Sequence, residues 1–190
     1  MNRFFFFSIL FCSILNANPI IKKHFSYYDI YPINKHKLED SMDETSPIYN
    51  NGNVRHGTVN WKIKYFYKTV RKNGICSIDE AKTKVDITYY VPKLASNYTL
   101  PDGTRTVFQR YYNILKNYLD KHTSFALDAA LEIEEQLPKV EKVSNDCNIV
   151  KQNAKNLAKS ILKKYKKKNK DFEIRTYEGF LEGVRKENLL

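Results

Sequence analysis

Tyr118 and His122 stand four residues apart in "YYNILKNYLDKHTSFALDAALEIEEQL", residues 111–137. Positions i and i+4 share one face of a helix. Two histidines at that spacing can grip a metal ion together. Here the first position is a tyrosine, so the pair amounts to half of a metal site. The chain holds 4 histidines in all. His24, His36 and His56 show no ligand spacing and are expected at the surface. No Gly-rich phosphate loop is present, and spacing alone argues for no Ser-His-Asp arrangement.

The elements that must carry this pair follow from hydrophobic periodicity. Phe108, Tyr111, Tyr112, Leu115, Leu119, His122, Ala126, Ala129 and Ala130 recur at three- and four-residue steps. That spacing predicts a helix over 104–137, ended by Pro138. A second helix is expected over 146–170, with Ile149, Val150, Ala154, Leu157, Ala158, Ile161, Leu162 and Tyr165 as its apolar stripe. Upstream, "TVNWKIKYFYKTV" alternates: Val59, Trp61, Ile63, Tyr65 and Tyr67 point one way, Asn60, Lys62 and Lys64 the other. This is the pattern of a half-buried strand. "RKNG" turns the chain into "ICSIDEAKTKVDITYYVP", which completes an antiparallel hairpin ending at Pro92. "HFSYYDIYPI" reads as a strand, "NKHKLEDSMDE" as a short helix capped by Asn34, and "TSPIYNNGNVRHG" as a loop turning at Asn51-Gly52. The tail after residue 170, with two glycines, is expected to be loop. The fold class is α+β, a small antiparallel sheet packed with two long C-terminal helices.

Export is expected from the first residues. In "MNRFFFFSILFCSILNANP" one arginine precedes an apolar run from Phe4 to Leu15, and small Ala17 follows at a cleavage-like position. This predicts a signal peptide over 1–17 and one domain over 18–190, in a periplasmic or extracellular setting. The run is too short for a membrane anchor, which needs about 20 residues. Bulky Phe11 argues against lipidation of Cys12. Cleavage would leave Cys76 and Cys147, which most simply form one disulfide in an oxidising compartment. Net charge is +11, or +10 without Arg3. It is concentrated in "KQNAKNLAKSILKKYKKKNK", residues 151–170. The blandest expectation for that run is a solvated helix face. Weak attraction to an anionic envelope surface through Lys163, Lys164, Lys166, Lys167, Lys168 and Lys170 is the alternative, and no nucleic-acid partner is expected.

Several fragments, taken in order, resemble a bacterial family of predicted secreted zinc-dependent proteases, domain of unknown function nine-two-two. They are "GTVNW", Cys76 before a hydrophobic strand ending in Pro92, Phe108, "ALDAALEIEEQL", Cys147, a Lys-rich helix, and "TYEGFLEG". The family's H-E-x-x-H motif falls on Tyr118-Leu119-Asp120-Lys121-His122. Its later histidine, before a glycine, falls on Glu178, with Thr176 and Gly179 matching. Its glutamine falls on Glu182.

The resemblance implies a zinc peptidase, and the residues present depart from it at the points the chemistry needs. The motif's glutamate takes a proton from zinc-bound water, and Leu119 cannot. Asp120 cannot step in, because it stands two positions after Tyr118 and so points about 200° away from it around the helix. Tyr118 would have to ionise from a pKa of about 10 to serve as a ligand. Three states of the constellation Tyr118, Leu119, His122 and Glu178 are therefore distinguished. It is a disabled, structural site, with His122 bonded to Glu178 or resting on the sheet side of its helix. It is a residual metal site of His122 and Glu178, with or without Tyr118 as a third ligand, and without proteolysis. Or it hydrolyses by a changed mechanism. A misplaced register, leaving His122 an ordinary helix residue, is the remaining case. The first is favoured, with no metal bound. The expected function is that of an inactive, exported protease homologue, a pseudoenzyme binding a protein or peptide. The alternative is a zinc-dependent peptidase with an altered metal site.

Overall fold

A computed structural model describes residues 18–189 apart from 51, 98, 102 and 145. The expected signal segment 1–17, with Cys12, lies outside the described residues. Strand β1 (Ile20–Ile30) opens the fold. Asn34 then caps a short 3-10 turn, its side chain accepting from the His36 amide at 2.9 Å, and helix α1 (Leu38–Thr45) follows. A two-stranded ribbon, β2 (Tyr49–Asn50) with β3 (Asn53–Val54), replaces the loop expected there. Strands β4 (Thr58–Lys72) and β5 (Ile75–Leu94) form the long hairpin. Helix α2 (Thr104–Gln136), a short strand β6 (Val143–Ser144) and helix α3 (Cys147–Arg175) complete the chain.

The α+β class, the two long helices and the disulfide are as the residues predict. The sheet departs in one respect: it is mixed. Strand β5 is central, antiparallel to β4 on one side and parallel to β1 on the other, with Ile20 opposite Lys84 and Ile30 opposite Leu94. Pro92 does not end β5. Pairing with β4 stops at Tyr90, and the strand continues alongside β1 to Leu94. Strand β4 is consequently an edge strand.

Both helices cover one face of the sheet, and the alternation in β4 sets that face. Val59, Trp61, Ile63, Tyr65 and Tyr67 turn inward, while Asn60, Lys62, Lys64, Phe66 and Lys68 are exposed. On β5, Ala81, Thr83, Val85, Ile87, Tyr89 and Val91 are buried, all odd-numbered. Cys76 and Ile78 are also buried, but even-numbered. A bulge explains the change of parity. Lys68 pairs with Glu80 and Thr69 with Ile78, so Asp79 is the extra residue. Two residues then oppose one, and inward direction flips across the bulge. That flip lets Cys76 meet Cys147 at the start of α3, with their Cα atoms 5.2 Å apart.

Glu134 of α2 finishes the sheet where β1 begins. Its Oε1 accepts from the Thr83 amide at 2.6 Å and the Thr83 hydroxyl at 2.8 Å, and Oε2 accepts from the Asn18 amide at 2.8 Å. Without it, a buried strand N–H would have no acceptor. The helix α3 begins with Asp146 accepting from the Asn148 amide and runs to Arg175, five residues past the expected end. The tail beyond it is not plain loop: it closes through two 3-10 turns, Phe180–Glu182 and Lys186–Leu189. No described helix is long and apolar enough to cross a membrane.

Candidate functional site

Tyr118, Leu119 and His122 of α2 line a cleft of about 320 Å³. The opposite wall is the start of the edge strand, Gly57 to Asn60, with Ile48, Tyr49 and Asn50 of the ribbon and Arg55 beside it. Asn169 and Glu173 of α3, one helical turn apart, close the third side. The structure therefore gathers three of the four sequence-selected positions around one cavity. Glu178 lies beside it, bonded to the cleft residues Arg55 and Asn50.

His122 is held by α3, not by Glu178. Its Nδ1 bonds Asn169 Oδ1 at 2.8 Å. As the amide is oriented, Nδ1 carries the proton and Nε2 keeps a lone pair. Nε2 has no hydrogen-bond partner among the described residues, so it is the ring's remaining polar atom in the cleft wall. The imidazole packs edge-on against Tyr118 at 4.6 Å and Phe172 at 5.1 Å. Burial holds its pKa below the ordinary value, against the opposing pull of the Asn169 bond and the Glu173 charge.

That depression has a consequence for stability. In the unfolded chain His122 titrates near 6.5. As pH falls through that value, the unfolded chain takes up the proton first, so stability declines until the lower folded pKa is passed. Above the unfolded value the group contributes no pH dependence. His122→Gln is expected to flatten this limb by at most about 1.4 kcal/mol per pH unit, read from urea midpoints between pH 7.5 and pH 5. An unchanged slope would show that His122 takes up its proton over the same pH range in the folded and unfolded chain.

Tyr118 is a packing residue with a neutral phenol. Burial pushes its pKa up to about 12, helped by Glu173 and opposed by Arg55 and a bond to Thr176. Its ring lies against Gly179, where an added Cβ would come within 3.1 Å of Tyr118 Cε1. Gly179 also has φ +97°, a conformation open to glycine. Gly179→Ala is expected to cost about 1–3 kcal/mol through strain and displacement of the Tyr118 ring. A urea midpoint within error of the parent would contradict this.

Arg55 organises the other side. It forms ion pairs with Glu178 and, at 3.7 Å, with Glu173, and its Nη1 donates to the Glu178 carbonyl at 3.2 Å. Asn50 Nδ2 also donates to Glu178 Oε1 at 3.2 Å. These bonds hold a backbone in the left-handed region at two non-glycine residues, Tyr177 (φ 47°) and Glu178 (φ 60°). Arg55 Nε is buried without a hydrogen-bond partner among the described residues.

Other sequence-selected residues fall elsewhere. Asp120 turns away from the cleft and accepts from Tyr89 and Lys116, each at 2.6 Å. Burial opposes its ionisation, but those bonds hold its pKa below the ordinary value. Glu182 pairs with Lys121. Cys76 and Cys147 sit near the opposite end of α3. His24 and His36 are exposed as expected, but His56 is not a free surface residue: its ring bonds Tyr111 at 2.6 Å and Asp43 at 2.8 Å. Arg55, Asn169 and Glu173 are absent from the sequence-selected set. Only the Asn169–Glu173 spacing, i and i+4 at the end of a helix, could have pointed to the last two.

A family model described as "Bacterial protein of unknown function (DUF922)" matches residues 25–179. The chain belongs to that family. No curated protein and no solved structure matches it. The DUF922 match spans every wall of the cleft, from the ribbon through α3. The donor set of this DUF922 protein does not fit a zinc ion as the side chains stand. Glu178 is bonded to Arg55 and Asn50, the Tyr118 phenol is protonated, and no group of three His, Cys, Asp or Glu among the described residues could hold a metal.

Proposed function

We propose that this DUF922 protein is a pseudoenzyme that binds an extended polypeptide segment in the cleft without cutting it. The observation that carries this is the pairing of an edge strand with a site whose motif positions are Tyr118 and Leu119. The first residues of β4 form one wall, and the far edge of β4 pairs with no other strand among the described residues. An extended peptide can add to such an edge through main-chain hydrogen bonds, with side chains entering adjoining hollows. His122 Nε2 and Glu173 offer acceptors for peptide donors, and Arg55 Nε offers a donor for a carbonyl. The likeness to zinc-dependent proteases argues for polypeptide as the ligand class. Leu119, standing where that chemistry places its base, argues against turnover. The Cys76–Cys147 bond supports an exported setting.

The test uses reduced, carboxymethylated α-lactalbumin as an unfolded probe. The purified chain is expected to bind it and leave its mass unchanged, with or without added zinc. Thr58→Trp, which adds bulk at the β4 wall of the cleft, is expected to weaken binding at least about tenfold. Fragments whose appearance stops with chelator and with His122→Ala would replace this reading by that of a zinc-dependent peptidase with an altered metal site.

A further inference from the structure

Helix α3 carries a stripe of lysines that its own fold leaves uncompensated. Lys151, Lys155, Lys159, Lys163, Lys166 and Lys170 are all exposed. Their spacing of four, four, four, three and four residues keeps them within about a third of the helix circumference. The stripe is about 28 Å long at 1.5 Å per residue. Among the described residues, none of the six forms an ion pair. The lysines off the stripe behave otherwise: Lys164 pairs with Glu132, Lys167 with Asp171, and Lys168 lies over the Tyr165 ring. Like charges four apart on a helix repel, so the stripe disfavours the helix that bears it.

The stripe leads to the cleft. Asn169 and Glu173, which wall the cleft, continue the same side of α3. Strand β4 lies alongside in the opposite direction. Near its end, the Tyr67 hydroxyl donates to the Lys151 carbonyl at 3.4 Å, and its beginning meets Asn169 and Glu173 across the cleft.

Resting on the cleft reading above, we propose that the bound segment is an acidic extended polypeptide. Its carboxylates run from the cleft along Lys170 to Lys151, beside the free edge of β4. The repeat distances agree. Alternate side chains of an extended strand are about 6.6 Å apart. Lysines four apart on a helix are about 6 Å apart. Glu173 interrupts the positive run at the cleft, so the acidic part stops there. The cleft itself takes uncharged residues or donors.

Three labelled 14-residue peptides test this by fluorescence anisotropy with the full chain: (Glu-Thr)7, (Gln-Thr)7 and (Lys-Thr)7. The expected result is that (Glu-Thr)7 binds at least about tenfold tighter than (Gln-Thr)7, that (Lys-Thr)7 does not bind, and that the preference shrinks at high salt. The triple variant Lys155→Glu/Lys159→Glu/Lys163→Glu is expected to abolish the preference and leave (Gln-Thr)7 unchanged. The corresponding Lys→Gln triple is expected to be intermediate. All six positions are exposed, and an unchanged melting curve verifies folding. Equal binding of (Glu-Thr)7 and (Gln-Thr)7, both weakened by Thr58→Trp, would overturn the acidic preference and keep the cleft. Binding of (Glu-Thr)7 that survives Thr58→Trp intact but fails in the lysine triple would overturn the cleft reading instead, and with it this path. Stripe-dependent binding to phosphatidylglycerol vesicles with none to the peptides would assign the stripe to a membrane and overturn the proposal.

Discussion

Replacing both Cys76 and Cys147 by serine is expected to lower the unfolding free energy by about 4 kcal/mol. The bond spans a sequence separation of 71 residues, and chain-entropy arguments give that magnitude for a loop of this length. Domains of this size are typically stable by only about 5–15 kcal/mol, so the variant would stand near the edge of folding. The bond fastens the first residue of α3 to the central strand, where Cys76 is fully buried. Val150, Ala154, Ala158, Ile161 and Tyr165 continue the contact along the helix. Urea unfolding measures the effect, and adding reductant to the parent chain should reproduce it. A loss below about 1 kcal/mol would mean that these apolar contacts alone fix α3.

Arg55→Ala is expected to have the second largest effect and to act on stability and binding together. The side chain is 17% exposed and its two carboxylate partners 41% and 36%, so solvent screens the pairs and the Coulomb gain is modest. The larger loss comes from what is left behind. Glu178 keeps its left-handed backbone without the donor to its carbonyl, and Glu173 and Glu178 remain together without their cation. About 2 kcal/mol of stability is expected to go. Arg55→Lys should recover only part of it, because an ammonium cannot address the carboxylate and the carbonyl with one planar fork. Binding of unfolded polypeptide should fall at least about tenfold in Arg55→Ala, since one wall of the cleft and its Nε donor are removed. Full binding by a destabilised Arg55→Ala chain would separate the two roles and place the ligand elsewhere.

The parts of this fold readable from sequence are those that local periodicity governs. The alternation in "TVNWKIKYFYKTV" matches the observed inward and outward faces of β4, and the apolar steps in α2 bring Leu119 and His122 inward together. The disulfide followed from the number of cysteines. The parallel docking of β1 did not, because no local pattern says which side of β5 a distant strand joins or in which direction. Nor did the bulge at Asp79, which flips parity inside one strand. In the site, Tyr118, Leu119 and His122 were visible as a spaced set on one helix. Their partners were hidden by separation: Asn169 is 47 residues from His122, and the Arg55–Glu178 carbonyl bond spans 123. His56 shows the same limit, since its bonds to Asp43 and Tyr111 join three elements that share no motif.

The most direct test of non-cleaving binding at the β4 edge is amide hydrogen exchange on the full chain mixed with reduced, carboxymethylated α-lactalbumin and zinc, with the intact mass of the probe read from the same sample. The expected result is slowed exchange at residues 57–60, loss of that protection in Thr58→Trp, and a probe of unchanged mass. Unchanged exchange at 57–60, or a probe cut into fragments unless chelator is present, would contradict it.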